Sequence, residues 1–145
     1  MKKISKFLLA TVAVFVLVFS MLYFYITREN NVNIAAAHTE IQISSESLIS
    51  SFLNNESSAN SEYIEKTIEI AGVIKDITFL NNRYTVLLQG ETDFSCVICD
   101  MQSNQYKSIK KLELGQNIVL KGICKGFLMD AIFLDCIILN PKDNE

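Results

Sequence analysis

The sequence predicts a mainly β protein, α+β by content: an N-terminal transmembrane helix, then an amphipathic helix and a five-stranded Greek-key barrel. Three observations predict it. Phe7 to Ile26 is an unbroken run of twenty mostly apolar residues. Leu48, Ile49, Phe52, Leu53, Ala59 and Tyr63 recur at three- and four-residue spacings, the pattern of a helix with one apolar face. From Lys66 to Leu139 the apolar residues alternate with period two in five short runs, the pattern of strands.

The apolar run comes first. At 1.5 Å per residue it spans roughly 30 Å, the hydrocarbon thickness of a bilayer. Thirteen of its residues are Leu, Ile, Val or Phe, each favouring insertion by about 0.3 to 0.6 kcal/mol. Lys2, Lys3 and Lys6 precede it and Arg28 follows it. The positive-inside rule then keeps the N-terminus cytoplasmic and puts the remainder outside the cytoplasm. Residues 1–29 are therefore expected to be an uncleaved signal-anchor of a bacterial inner membrane. Ala35-Ala36-Ala37 would suit a signal peptidase but lies well beyond the run. No cysteine follows the run to accept a lipid. Residues 30–43 read as a polar linker containing the single histidine, His38, expected to be solvated.

Residues 44–140 are expected to be one domain and 141–145 a tail. Ser44 or Ser45 caps a helix running to Tyr63, with Glu46 at the positive end of its dipole. Lys66 to Thr78 is the first strand, and Gly72 inside it is expected to mark a bulge or bend. Asn81-Asn82 is a turn, Arg83 to Gln89 the second strand, and Phe94 to Met101 the third. Ser103 to Leu112 reads as a short helix. Leu112 to Leu139 then holds two strands, apolar at nearly every position, with a turn between Gly126 and Asp130.

Three strands, a helical connection and two more strands is the order of the OB-fold. The stretches "NNESSANSEYIEKTIEIAGVI", "VICDM", "LGQNIVLKGICKG" and "DAIFLDCIIL" also resemble the tRNA-anticodon-binding-like OB family of bacterial membrane and lipoprotein-like proteins. The positions carrying the resemblance are Asn55, Ala59, Asn60, Tyr63, Lys66, Gly72, Cys99, Gly115, Gly122, Cys124, Gly126, Asp135 and Cys136. It covers 44–139 and implies a fold, with no activity attached. Cys96 lies outside the pattern.

Charge narrows the partners. Residues 30–145 carry 9 Lys and Arg against 15 Asp and Glu, a net charge of −6. Affinity for phosphate backbones comes mainly from clustered Lys and Arg, so nucleic acid is disfavoured. Cys96 and Cys99 form C-x-x-C, but a strand sends residues three apart to opposite faces, about 10 Å from one another, beyond disulfide reach. Neither a redox motif nor a metal site is expected, and no cofactor. The acid pairs Glu91 with Asp93 and Asp130 with Asp135 flank turns, where solvated carboxylates are ordinary. The lone His38 leaves no nucleophile–base set, so no catalytic residue is expected.

OB-folds bind across their second and third strands and the loops after strands one and four. That analogy makes Phe79, Arg83 and Tyr84, with Phe127 and Met129, candidate contact residues. A disulfide between Cys124 and Cys136 is expected if those strands pair with residue numbers summing to 260. The alternatives are Cys99 with Cys136, or four reduced thiols. The expected function is a non-catalytic, membrane-anchored binding or assembly module of the cell envelope, its partner a protein, a peptide or a glycan. The alternatives are a nucleic-acid-binding domain and a thiol-active or metal-binding protein.

Overall fold

The computed structural model describes residues 2–26 and 33–139, with side chains from residue 11 onward. It divides into two units, 1–31 and 32–145. In the first, helix α1 (Lys2–Ile26) displays exposed side chains throughout its described part. Among the described residues no helix is long and apolar enough to cross a membrane. The expected span differs from this because the side chains of Phe7 to Ala10 lie outside the described residues. The expected tail, 141–145, also lies outside the described residues.

In the second unit, β1 (Ile41–Ser44) leads into α2 (Ser45–Asn54) and α3 (Glu56–Tyr63). Strands β2 (Thr67–Leu80), β3 (Arg83–Gln89) and β4 (Cys96–Met101) follow. A 3₁₀ turn (Ser103–Gln105) and α4 (Tyr106–Ile109) connect to β5 (Asn117–Leu128) and β6 (Asp130–Leu139). The sheet order is β1-β2-β3-β4-β6-β5, and β5 returns to pair with β2. That return closes five strands into an OB-type barrel. β4 and β6 run parallel and the other barrel pairs antiparallel.

The helix expected over 44–63 is two helices. Ser44 caps the first, its hydroxyl accepting from the Ser47 N–H at 3.1 Å. Asn55, with φ −155° and ψ 86°, ends it and caps the second by accepting from the Ser58 N–H at 3.1 Å. An asparagine side chain that satisfies an orphan amide is enough to restart a helix. Leu48, Ile49 and Phe52 from α2, with Ala59 and Tyr63 from α3, enter the core. Each fully buried aliphatic or aromatic side chain there contributes roughly 1.5–3 kcal/mol.

The part of 30–43 that is described is no free linker. Ile34 is 1% exposed. The buried Lys121 ammonium donates to the Ala37 carbonyl at 2.5 Å. Glu40 pairs with Lys66 at 2.9 Å, and β1 adds to β2 in parallel, Ile41 opposite Ile68. β1 thereby takes an edge of β2 that would otherwise present unpaired amides. His38 is exposed.

Gly72 does not mark the bulge in β2. The register shifts between Ile74 and Asp76 instead. A Cβ at Gly72 would collide with the Ser45 hydroxyl, which donates to the Gln89 carbonyl at 2.6 Å and ties α2 to β3. Gly122 answers to a similar demand. Its Cβ would lie 2.5 Å from the Cys136 sulfur.

β5 and β6 meet at a one-residue turn, Leu128 opposite Asp130 with Met129 at φ 69°. Paired residue numbers therefore sum to 258 or 257, not 260. Cys124 faces Phe133, and Cys136 falls beyond the irregularity at Asp135, φ 57°. The register expected for a Cys124–Cys136 bridge is therefore not the one found, and no two of the four cysteines are bonded in this structure.

Overpacking a tight core costs about 1–3 kcal/mol. Gly122→Ala should therefore lower stability by that amount in urea unfolding. Gly126→Ala, with nothing within 4 Å of the new methyl, should lose none of it. Equal midpoints for the two variants would refute the close approach at Gly122.

Candidate binding face of the barrel

Burial alternates along β3 and β4, with Val86, Leu88, Val97, Cys99 and Met101 inside. Thr85, Leu87, Ile98 and Asp100 are the half-buried residues between them, on the outer face. Register aligns these outward side chains in rows. Leu87 stands opposite Ile98, and Ile98 opposite Ile132 of β6. The three form an apolar row across β3, β4 and β6. The next row pairs Thr85 with Asp100.

One end of the barrel carries an aromatic cluster on the inward side of β3, where Tyr84 and Tyr106 pack against the core rather than on the face of Leu87 and Ile98. Asn81 and Asn82 both have positive φ, 51° and 62°, the geometry of a tight hairpin turn. The turn sets Phe79 opposite Tyr84, ring centroids 4.4 Å apart. Tyr106 of α4 completes the cluster, 4.9 Å from Tyr84 and 6.4 Å from Phe79. Its hydroxyl donates to the Asn82 carbonyl at 2.6 Å, fixing the turn. Phe79 remains 54% exposed. Arg83 bonds to Asp100 at 2.9 Å. Burial raises the Asp100 pKa, opposed by Arg83 and reinforced by Asp135.

The other end is built from the β3–β4 and β5–β6 loops. Phe94, Leu128 and Met129 are 89%, 81% and 74% exposed. The Asp130 carboxylate accepts from the Cys96 N–H at 2.8 Å and joins the two loops. Met129 thus belongs to this end. Phe127 does not join Phe79, Arg83 and Tyr84, because it stacks on Phe52 of α2 at 4.8 Å with the rings nearly parallel. It packs against the core. Sequence reasoning missed Tyr106, whose helical spacing marks a packing face equally well, and Phe94, whose signal is its place in an otherwise polar loop.

The chemistry offered is recognition. Cys96 and Cys99 share β4 without sharing a face. Burial and the Asp130 carboxylate push the Cys96 thiol up to about 11, and burial pushes Cys124 to about 11. Thiolates are the nucleophiles in disulfide exchange, so these groups are unreactive near neutral pH. Among the described residues no group of three or more His, Cys, Asp or Glu is placed to hold a metal ion. A groove of about 500 Å³ lies apart from the face, lined by Ala71, Leu112, Ile118, Val119 and Ile138 with Lys111 at its rim. It carries no acid–base pair.

The family model for tRNA_anti-like proteins matches residues 1–138. The chain belongs to the tRNA_anti-like family. No curated protein matches it. Among solved structures, the tRNA_anti-like chain is similar to a protein of Klebsiella pneumoniae provisionally named a nucleic acid-binding lipoprotein. The TM-score is 0.53 at 17% identity, covering 67% of this chain and 91% of that one. It is also similar to an OBody bound to hen egg-white lysozyme, with TM-score 0.43 at 14% identity over 55% and 86%. Asparaginyl-tRNA synthetase of Pyrococcus horikoshii has TM-score 0.42 at 14% identity over 54% and 20%. The Klebsiella likeness corroborates the OB fold of the tRNA_anti-like domain and goes no further.

The raised thiols fix a pH dependence. Their folded pKa lies above the ordinary 9.0. The stability they contribute is fully present below about pH 9 and is lost as pH rises through about 11. Urea unfolding of the reduced domain should weaken across that window, and Cys96→Ala with Cys124→Ala should remove part of the slope. An unchanged slope in the double variant would show that these thiols are not desolvated.

Proposed function

We propose that the protein is a non-catalytic binding module, held at the inner membrane of a bacterial envelope by Phe7 to Ile26. Its barrel lies outside the cytoplasm and takes an extended apolar segment of a partner protein. The observation that carries this reading is the row Leu87, Ile98 and Ile132 on the outer face of β3, β4 and β6. Arg83, the cation of β3 and β4, is neutralised there by Asp100 at 2.9 Å. Completing the burial of three half-buried aliphatic side chains contributes roughly 1 kcal/mol each. Phe94 and Met129, 89% and 74% exposed in the loops at one end, add further apolar surface. The anchoring part rests on the lysines before the apolar run and on the length of that run. The lipoprotein name of the Klebsiella protein is consistent with an envelope setting.

A second reading, a nucleic-acid-binding domain, is favoured by the cluster of Phe79, Tyr84 and Tyr106, since aromatic rings in OB-folds stack on bases. The Klebsiella protein's name points the same way. Against it stands the net charge of −6 over residues 30–145. Phosphate contacts need free cations, and Lys66, Arg83 and Lys125 are each engaged by a carboxylate, which leaves exposed Lys107, Lys110 and Lys111 beside Tyr106 to make them.

Titration separates the two. The purified barrel should bind labelled single-stranded DNA and RNA no tighter than the non-specific range of about 10⁻⁴ to 10⁻⁶ M at physiological salt. An apolar peptide selected against the barrel should lose about tenfold in affinity, roughly 1.4 kcal/mol, on Ile98→Asp. A tight oligonucleotide complex that weakens steeply with added salt, and survives Ile98→Asp, would reverse the order of the two readings.

Topology is tested separately. Protease added to spheroplasts should digest the chain beyond residue 32 while cytoplasmic controls survive. Protection until the membrane is permeabilised would place the barrel inside.

A further inference from the structure

Binding on the outer face leaves three thiols of the barrel interior unused. Cys99, Cys124 and Cys136 are all 0% exposed. Gly122 makes the room for one of them, because the Cys136 sulfur occupies the place of its missing Cβ. Register and thiol direction decide which two can meet. Cys99 on β4 and Cys124 on β5 stand opposite the same residue of β6, Phe133, from either side. Two strand spacings, about 9.5 Å, separate them, more than the roughly 7 Å that a disulfide allows. Cys96 lies on the outer face, its thiol hydrogen-bonded to Asp130. The Cys124 thiol bonds to the backbone of Gly126, two residues along its own strand. The Cys136 thiol is hydrogen-bonded to that of Cys99. The irregularity between Cys99 and Met101 turns Cys136 inward, opposite Met101 and diagonal to Cys99 on the same side of the sheet. Three residues of β6, from Phe133 to Cys136, are spanned by two of β4, and Asp135 takes up the excess in the left-handed region at φ 57°.

We propose that Cys99 and Cys136 become a disulfide inside the barrel, formed while the chain folds in an oxidising compartment. The oxidant depends on the extracytoplasmic placement given above; the pairing depends on two buried, inward cysteines on the paired strands β4 and β6. The oxidant is itself a protein or small-molecule disulfide. One cysteine, deprotonated, attacks an oxidant sulfur and releases one oxidant thiolate. The second cysteine, deprotonated, attacks the protein sulfur of the mixed disulfide and releases the other. Two protein S–H bonds and one oxidant S–S bond break, and one protein S–S bond forms. The oxidant leaves as two thiols carrying both protons and both electrons. Both sulfurs are closed off from solvent in the native barrel, so exchange belongs to the open chain, and the closed barrel then shields the bond.

Two preparations of the full chain test this. In one, cells are treated with an alkylating agent at harvest, and the protein is digested without reductant and mapped by mass. In the other, the reduced, unfolded chain is refolded with oxidised and reduced glutathione and mapped in the same way. Both should give Cys99 linked to Cys136, with Cys96 and Cys124 alkylated. Reducing the bond should lower Tm by on the order of 10 °C. Cys124→Ala should keep both the bond and that shift. A bond from Cys124 or Cys96, or no bond on refolding, overturns the pairing. A bond on refolding with four alkylated cysteines from cells supports the pairing but overturns the bond in the cell, and the extracytoplasmic placement with it.

Discussion

The second half of this molecule depends on one strand being paired along both of its edges. β5 runs beside β6 over its length and meets β2 through seven consecutive residue pairs, Thr67 opposite Ile123 to Val73 opposite Asn117. Closure removes two sheet edges at once and sends Ile118, Leu120, Gly122 and Cys124 inward. The inner positions then admit little beyond apolar groups and thiols, so the interior offers no charged chemistry. Function moves to the outside of the wall. β1 depends on the same closure, because β5 covers one edge of β2 and leaves the other to Ile41–Ser44.

Much of this was legible in the sequence, for identifiable reasons. Strand β3 has the boundaries that its alternation predicts, Arg83 to Gln89, because Asn81-Asn82 signals a turn locally. The two long strands at the end were visible because two faces of burial leave near-continuous apolar runs. The first helix announced its cap at Ser44. Other features have no local signal. A four-residue strand such as β1 is too short to show a period, and its partner lies 27 residues away. Asn55 reads equally as a helix interior or a cap until its backbone is seen. A one-residue turn at Met129 and left-handed Asp135 moved the register, and with it the neighbour of Cys136. Gly72 looks like a bulge in sequence and is a contact in space, since what demands it is Ser45 of another element.

The binding face shows the same division. Phe79 and Tyr84 flank a recognisable turn and their rings meet, whereas Arg83, next to Tyr84 in the strand, turns to the other face and pairs with Asp100. Tyr106 joins the two rings from 22 residues beyond Tyr84. Phe127 leaves them because Phe52 offers a flat partner on the other side of its strand. The row of Leu87, Ile98 and Ile132 could not be assembled before the register of three strands was known. Apolar residues at outward strand positions had looked like continuous core. Once the rows are aligned, they are an apolar surface on an acidic barrel whose one cation on β3 and β4, Arg83, is paired with Asp100.

A photocrosslinking amino acid at Ile98, activated in intact cells, tests that claim most directly when compared with the same group at exposed Asn54 of α2. The account predicts a discrete protein adduct from position 98, absent from position 54 and lost when Leu87 is changed to Asp. A nucleic-acid adduct from position 98, or the same adducts from both positions, would contradict it.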